Sequence, residues 1–152
     1  MNDSVVYAPD NWSAPPLANP DACLSAGRCT SCGRAWFPRP QTCPECLSTE
    51  SMTRIDLSRT GTLYAYSVIH IAPAGFKAPY VIGYVDLPEG VRVFGHLDGC
   101  KEDAVECGAP VRIYAGVIGR TPGDEPLIGV RFAPMDHATV REQHGGIHGS
   151  VA

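Results

Sequence analysis

From about residue 51 onward, apolar side chains tend to recur at every second position, the period of a strand with one buried face. Residues 62–71 read Thr-Leu-Tyr-Ala-Tyr-Ser-Val-Ile-His-Ile, rich in β-branched and aromatic types, and predict a first strand. Residues 80–87, 91–97, 111–118 and 127–133 predict four more. Turn chemistry separates them: Pro88-Glu89-Gly90 joins the second strand to the third, and Thr121-Pro122-Gly123-Asp124 joins the fourth to the fifth. Residues 52–57 read as a leader that extends the first strand across a break at Thr60-Gly61. Five strands, the first with a glycine that permits curvature, predict a small closed barrel of the OB type. Residues 99–108, between strands three and four, leave room for one helical turn over residues 101–105.

The first 27 residues lack this alternation. Pro9, Pro15, Pro16 and Pro20 keep the stretch extended or irregular, because proline removes a donor and restricts the residue before it. Residues 1–27 therefore read as an arm. It is either loosely attached or docked on a partner, with Trp12 as the anchor. Periodicity disappears again over residues 136–152, which contain His137, His144 and His148 with Gly145, Gly146 and Gly149; this reads as a solvated tail rather than a histidine metal site.

Between arm and barrel stand two knuckles, Cys29-Thr30-Ser31-Cys32-Gly33 and Cys43-Pro44-Glu45-Cys46. Two residues inside each pair let both sulfurs reach one ion from a single tight turn, and Gly33 permits the positive φ such a turn takes. Two pairs complete a tetrahedral sulfur site. Zn²⁺ is the default ion for Cys29, Cys32, Cys43 and Cys46, and iron in a rubredoxin-like centre is the alternative. All four positions are filled by cysteine, so the metal is structural rather than catalytic. The chain reads as mainly β: a rubredoxin-like zinc ribbon over residues 28–50 followed by a five-stranded OB-fold over residues 51–135.

Composition narrows the function. Seven cysteines, four of them in tight pairs, suit a metal site in a reducing compartment better than a disulfide framework. The absence of a basic-then-apolar leader agrees with a cytoplasmic location. A formal charge of −4 counts against nucleic acid as the main ligand. It also favours a core role for Tyr64 and Tyr66, which fall on one strand face, over a base-stacking platform.

Catalytic groups are sparse. His70 stands in no catalytic motif. His96 and Asp98 share a strand face and can orient an imidazole, although such pairs at strand ends are usually ordinary surface pairs. Cys100 and Cys107 read as buried packing residues. No nucleophile elbow, P-loop or dinucleotide fingerprint is present. By itself the chain does not read as an enzyme.

The order of motifs is more specific than the cysteines alone. The Cys-x-x-Cys-Gly knuckle, Trp36-Phe37-Pro38-Arg39-Pro40 and Cys-Pro-Glu-Cys precede Thr60-Gly61-Thr62-Leu63-Tyr64-Ala65-Tyr66 and the run from Gly75 to Gly90. Over about residues 28–135 this resembles the acyl-CoA-associated zinc-ribbon/OB-fold family, a domain of unknown function encoded beside thiolases. The resemblance implies a non-catalytic accessory subunit in a hetero-oligomer with a thiolase-fold enzyme, stabilising that partner and helping shape its acyl-CoA site. The sharper expectation is an aromatic acyl-CoA such as benzoylsuccinyl-CoA. The Pro-rich arm departs from the family, whose members often begin with a helical segment. Arg28, Arg34 and Arg39 with Trp36 and Phe37 become candidate CoA contacts, since guanidinium suits phosphate and a flat ring suits adenine. Trp12, Phe76 and Lys77 are candidate partner contacts, Phe76 because a loop-tip phenylalanine needs covering. The alternative reading is a single-stranded nucleic-acid-binding ribbon/OB module.

Overall fold

The computed structural model describes residues 4–99 and 106–135. The expected helical turn over residues 101–105, Cys100, and His137, His144 and His148 lie outside the described residues. In chain order the strands are β1 (Val5–Val6), β2 (Ser25–Cys29), β3 (Ala35–Trp36), β4 (Met52–Asp56), β5 (Thr60–Ile69), β6 (Tyr80–Asp86), β7 (Arg92–Leu97), β8 (Pro110–Arg120) and β9 (Pro126–Pro134). The helical element among the described residues is a 3₁₀ turn at Pro9–Asn11. No described helix is long and apolar enough to cross a membrane.

Strands β5 to β9 match the five expected strands, and they close on themselves. β5 pairs with β6, β6 with β7, β7 with β9, β9 with β8, and β8 with β5. All contacts are antiparallel except β7–β9, which is parallel. That is the circuit of an OB barrel, and closure leaves no long free edge. Inside it lie Leu63, Val81, Val85, Val93, Leu97, Val111, Ile113 and Phe132, all buried. Gly95 faces this interior, where a Cβ would come within 2.9 Å of the Phe132 ring and of Val130; only the missing side chain admits the phenylalanine.

Two elements differ from the sequence expectation. β4 does not extend β5. It pairs along β2, from Ser25↔Asp56 to Cys29↔Met52, and forms the three-stranded ribbon sheet β3-β2-β4. Its alternation is genuine, but alternation does not name a pairing partner.

The arm is not loose either. β1 adds in parallel to the part of β9 that β7 leaves uncovered, at Val5↔Leu127 and Val6↔Ile128. Trp12 is 3% exposed and packs in the same core as Leu24, Ala26 and Leu57. Arg54 of β4 ties the arm down by donating to the Trp12 carbonyl at 2.8 Å and to Ser25 Oγ at 2.7 Å. Trp12 is therefore an anchor to its own chain, which removes it from the candidate partner contacts.

Candidate metal centre and docking face

Each cysteine pair sits on a tight turn built the same way. In the first, the Gly33 N–H donates to the Cys29 carbonyl at 2.8 Å and the Cys29 N–H donates to the Arg34 carbonyl at 2.8 Å. In the second, Leu47 donates to Cys43 at 2.9 Å and Cys43 to Ser48 at 3.0 Å. The residue after each pair has positive φ, 80° at Gly33 and 61° at Leu47. The first was legible from its glycine; the second was not, because leucine rarely adopts that conformation.

The four sulfurs lie within 4.8 Å of one another, with Cys29–Cys46 at 3.5 Å and Cys32–Cys43 at 3.6 Å. Four thiolates bonded at about 2.3 Å to one tetrahedral ion sit roughly 3.8 Å apart, so the cluster fits the Zn–thiolate bond length. Cys29 and Cys43 are buried and Cys32 and Cys46 reach the surface. The Ser51 hydroxyl, 3.0 Å from the Cys29 sulfur, and the Cys32 backbone N–H draw the Cys29 thiol down to about 6. At Cys46 the Ser48 backbone N–H pulls the other way, but the neighbouring thiols and burial outweigh it and push the group up to about 11. Adjacent sulfurs cannot all ionise without a cation among them. No second cluster of metal-ligating side chains occurs among the described residues.

The candidate CoA contacts divide. Arg28, Arg34, Trp36 and Phe37 line one cleft of about 390 Å³ together with Glu89, Gly90 and Val91 of the β6–β7 turn and Arg92 at the start of β7. Arg39 lies apart, in the groove between the arm and the ribbon with Trp12 and Arg54. Arg92 is the cleft residue that sequence reasoning missed. It donates to both Asp86 oxygens, at 2.6 and 3.1 Å, and its guanidinium lies 3.4 Å from the Tyr64 ring centre.

The catalytic candidates do not assemble. Asp98 accepts from the Tyr114 hydroxyl and from Arg131, and makes no bond to His96. His96 is 7% exposed, stacked on Tyr80 at 5.2 Å and on Phe76 at 5.9 Å between ring centres. Burial, with Arg131 nearby, holds it below the usual imidazole range. Cys107, expected in the core, is exposed, because it belongs to the connection before β8 rather than to a strand.

Phe76, expected bare at a loop tip, is half-buried by its stack, while Lys77 is exposed. Tyr64 and Tyr66 are not core residues either; both are exposed. A register shift between Leu63 and Ala65 separates their faces: Tyr66 sits opposite inward-facing Gly83, and Tyr64 lies outside under Arg92. The outer face of β6 and β7 instead carries a run of rings. Tyr84 meets Phe94 at 5.5 Å, Phe94 meets His96 at 6.5 Å, and Tyr80 and Phe76 follow. Tyr84 and Phe94 are 47% and 46% exposed.

A DUF35 domain-containing scaffold protein of Methanocaldococcus jannaschii is 38% identical over 119 residues, 76% of this chain and 84% of the relative. This chain belongs to the DUF35 family. Residues 54–116 of the DUF35 chain, from the end of β4 into β8, match the family described as the C-terminal OB-fold domain of ChsH2. The benzoylsuccinyl-CoA thiolase subunit BbsA of Thauera aromatica is 35% identical over 130 residues, 86% of this chain and 88% of that subunit. Among solved structures, the Ltp2-ChsH2(DUF35) aldolase is similar at 32% identity with a TM-score of 0.61, covering 74% of this chain and 84% of that one. The DUF35 motifs of ribbon and barrel were legible in sequence; the outer aromatic run was not, since it depends on which strands become neighbours.

Proposed function

We propose that this chain is a non-catalytic accessory subunit of a thiolase-type enzyme acting on acyl-CoA thioesters. The observation that carries the reading is the aromatic run on β6 and β7. Half-exposed Tyr84 and Phe94 form a contiguous apolar patch that water solvates poorly and a second protein surface would cover. The chain's own candidate groups are engaged elsewhere, with Asp98 bonded to Arg131 and His96 stacked among rings. Similarity to a thiolase subunit and to the DUF35 chain of an aldolase supports the same class of partner. In this reading Zn²⁺ at Cys29, Cys32, Cys43 and Cys46 is structural and holds the ribbon against the barrel. The accessory chain stabilises its partner and helps shape the surface that receives the CoA thioester. An aromatic acyl-CoA such as benzoylsuccinyl-CoA is the proposed substrate of the complex.

The test is co-expression with a thiolase-fold subunit from the same organism, followed by size-exclusion chromatography and a thiolysis assay with and without this chain. Co-elution with activity that depends on this chain is expected, and Phe94→Asp should abolish both while leaving the isolated chain folded. Separate elution with full thiolase activity alone would overturn the reading. Exposed rings on an OB barrel also suit single-stranded nucleic acid, and salt-sensitive oligonucleotide binding at Tyr84 and Phe94 would favour that alternative.

A further inference from the structure

Cys29 and Cys43 are sealed from water, whereas Cys32 and Cys46 reach the surface. A thiolate at the surface takes hydrogen bonds from solvent; a sealed one depends on donors within the fold. Cys29 differs from Cys43 in having a hydroxyl at hand. Ser51 Oγ lies 3.0 Å from its sulfur, and among the described residues it is the one hydroxyl within hydrogen-bond distance of the four sulfurs. Ser51 is itself only 7% exposed, and its hydroxyl has no other partner among the described residues.

The ribbon sheet sets this contact. β4 starts at Met52, which pairs with Cys29 across the ribbon, so Ser51 stands one residue before that pair. Its carbonyl accepts the Thr30 N–H at 2.8 Å while its hydroxyl reaches the Cys29 sulfur. Backbone and side chain of one residue therefore hold both residues that open the first knuckle. A free thiol and a hydroxyl can bond in either sense. A metal-bound sulfur carries no proton, so beside an ion the serine is the donor. Four thiolates around one divalent ion keep a net negative charge, and a donor aimed at the sealed sulfur offsets part of it where solvent cannot.

We propose that Ser51 is a positioning residue of the metal centre, whose hydroxyl donates to the metal-bound Cys29 sulfur and holds that ligand in place. Ser51 is not itself a ligand. It acts through Cys29, fixing the direction of the sulfur and stabilising its thiolate form against release of the ion. The role adds a fifth residue to the four-cysteine set and does not depend on the accessory-subunit reading. It also holds for either candidate ion, because zinc and iron bound by four thiolates take the same donor.

The full-length, zinc-loaded chain is titrated with a competing chelator, and the cobalt(II)-substituted chain is followed by its sulfur-to-cobalt charge-transfer absorption. Ser51→Ala removes one oxygen and should weaken metal retention about 10–100-fold, the usual cost of losing such a supporting contact. Without the donor the Cys29 lone pair rises in energy, so the absorption band should move to longer wavelength. Ser51→Thr keeps a hydroxyl on the same carbon and should leave the band in its native place. Ser48 supports the second knuckle through its backbone carbonyl, so Ser48→Ala should change neither reading. A serine that merely fills space would let affinity fall in Ser51→Ala while the band stayed where it was. An unmoved band or unchanged chelator competition in Ser51→Ala overturns the role. So does a Ser51→Thr or Ser48→Ala band displaced as far as that of Ser51→Ala.

Discussion

Replacing Trp12 by alanine separates an arm built into the fold from an arm reserved for a partner. The side chain is 3% exposed and packs in the core with Leu24, Ala26 and Leu57. Its backbone contacts do not depend on the indole: the Trp12 carbonyl accepts from Arg54 and its N–H donates to the Pro9 carbonyl at 3.2 Å. The substitution therefore reports the ring alone. A tryptophan ring buries about 150–250 Å², which at ~25 cal/mol per Å² is about 4–6 kcal/mol. A compact denatured chain and the retained alanine methyl lower this, to about 3–5 kcal/mol. Against a typical net stability of about 5–15 kcal/mol, such a loss takes a third or more of the total. Urea denaturation of the metal-loaded chain, followed by Trp36 fluorescence, measures it. Leu17→Ala, at an exposed arm position, is the control and should change stability by no more than about 0.5 kcal/mol. A loss below about 1 kcal/mol in Trp12→Ala, with protease protection of the arm unchanged, would refute the reasoning and return Trp12 to the candidate partner contacts.

Two further perturbations test other parts of the molecule. Cys29→Ser should release the bound metal, measured as zinc per chain, and lower the melting temperature; lower pH should weaken metal retention in the native chain too, because the sulfurs must shed protons to bind. Unchanged metal content would remove Cys29 from the ligand set. His96 is held neutral by burial and by Arg131, so its folded-state value lies below its unfolded one. Its contribution is fully present above the unfolded value near about 6.5 and is lost as pH falls through the depressed value. His96→Phe, which keeps a ring beside Tyr80 and Phe76, should flatten the acid side of the melting-temperature profile below about pH 6.5. Parallel profiles for the two proteins would show that another group sets the acid limb.

The sequence announced what depends on a few neighbouring residues. Two-residue periodicity marked all five barrel strands, Pro88-Glu89-Gly90 and Thr121-Pro122-Gly123-Asp124 marked the hairpins, and the spacing of Cys29, Cys32, Cys43 and Cys46 marked the metal cluster. Each is a local property: a strand's alternation, a turn's φ values and a knuckle's reach are set within one short stretch of chain. The rest waited on which stretches meet. β4 alternates like a barrel strand, yet it joins the ribbon because β2 offers it an edge. One extra residue between Leu63 and Ala65 places Tyr64 and Tyr66 on different faces, a displacement that no count along the strand foretells. Arg28, Arg34 and Arg39 look equivalent in sequence, but the ribbon turns the first two toward Arg92 and the third toward the arm. Trp12 and Phe76, the apolar residues that seemed to need a partner, are buried and half-buried by their own chain. Burial and exposure belong to closure of the barrel over long sequence separations. Tertiary structure alone therefore decided that Tyr84 and Phe94 remain in water.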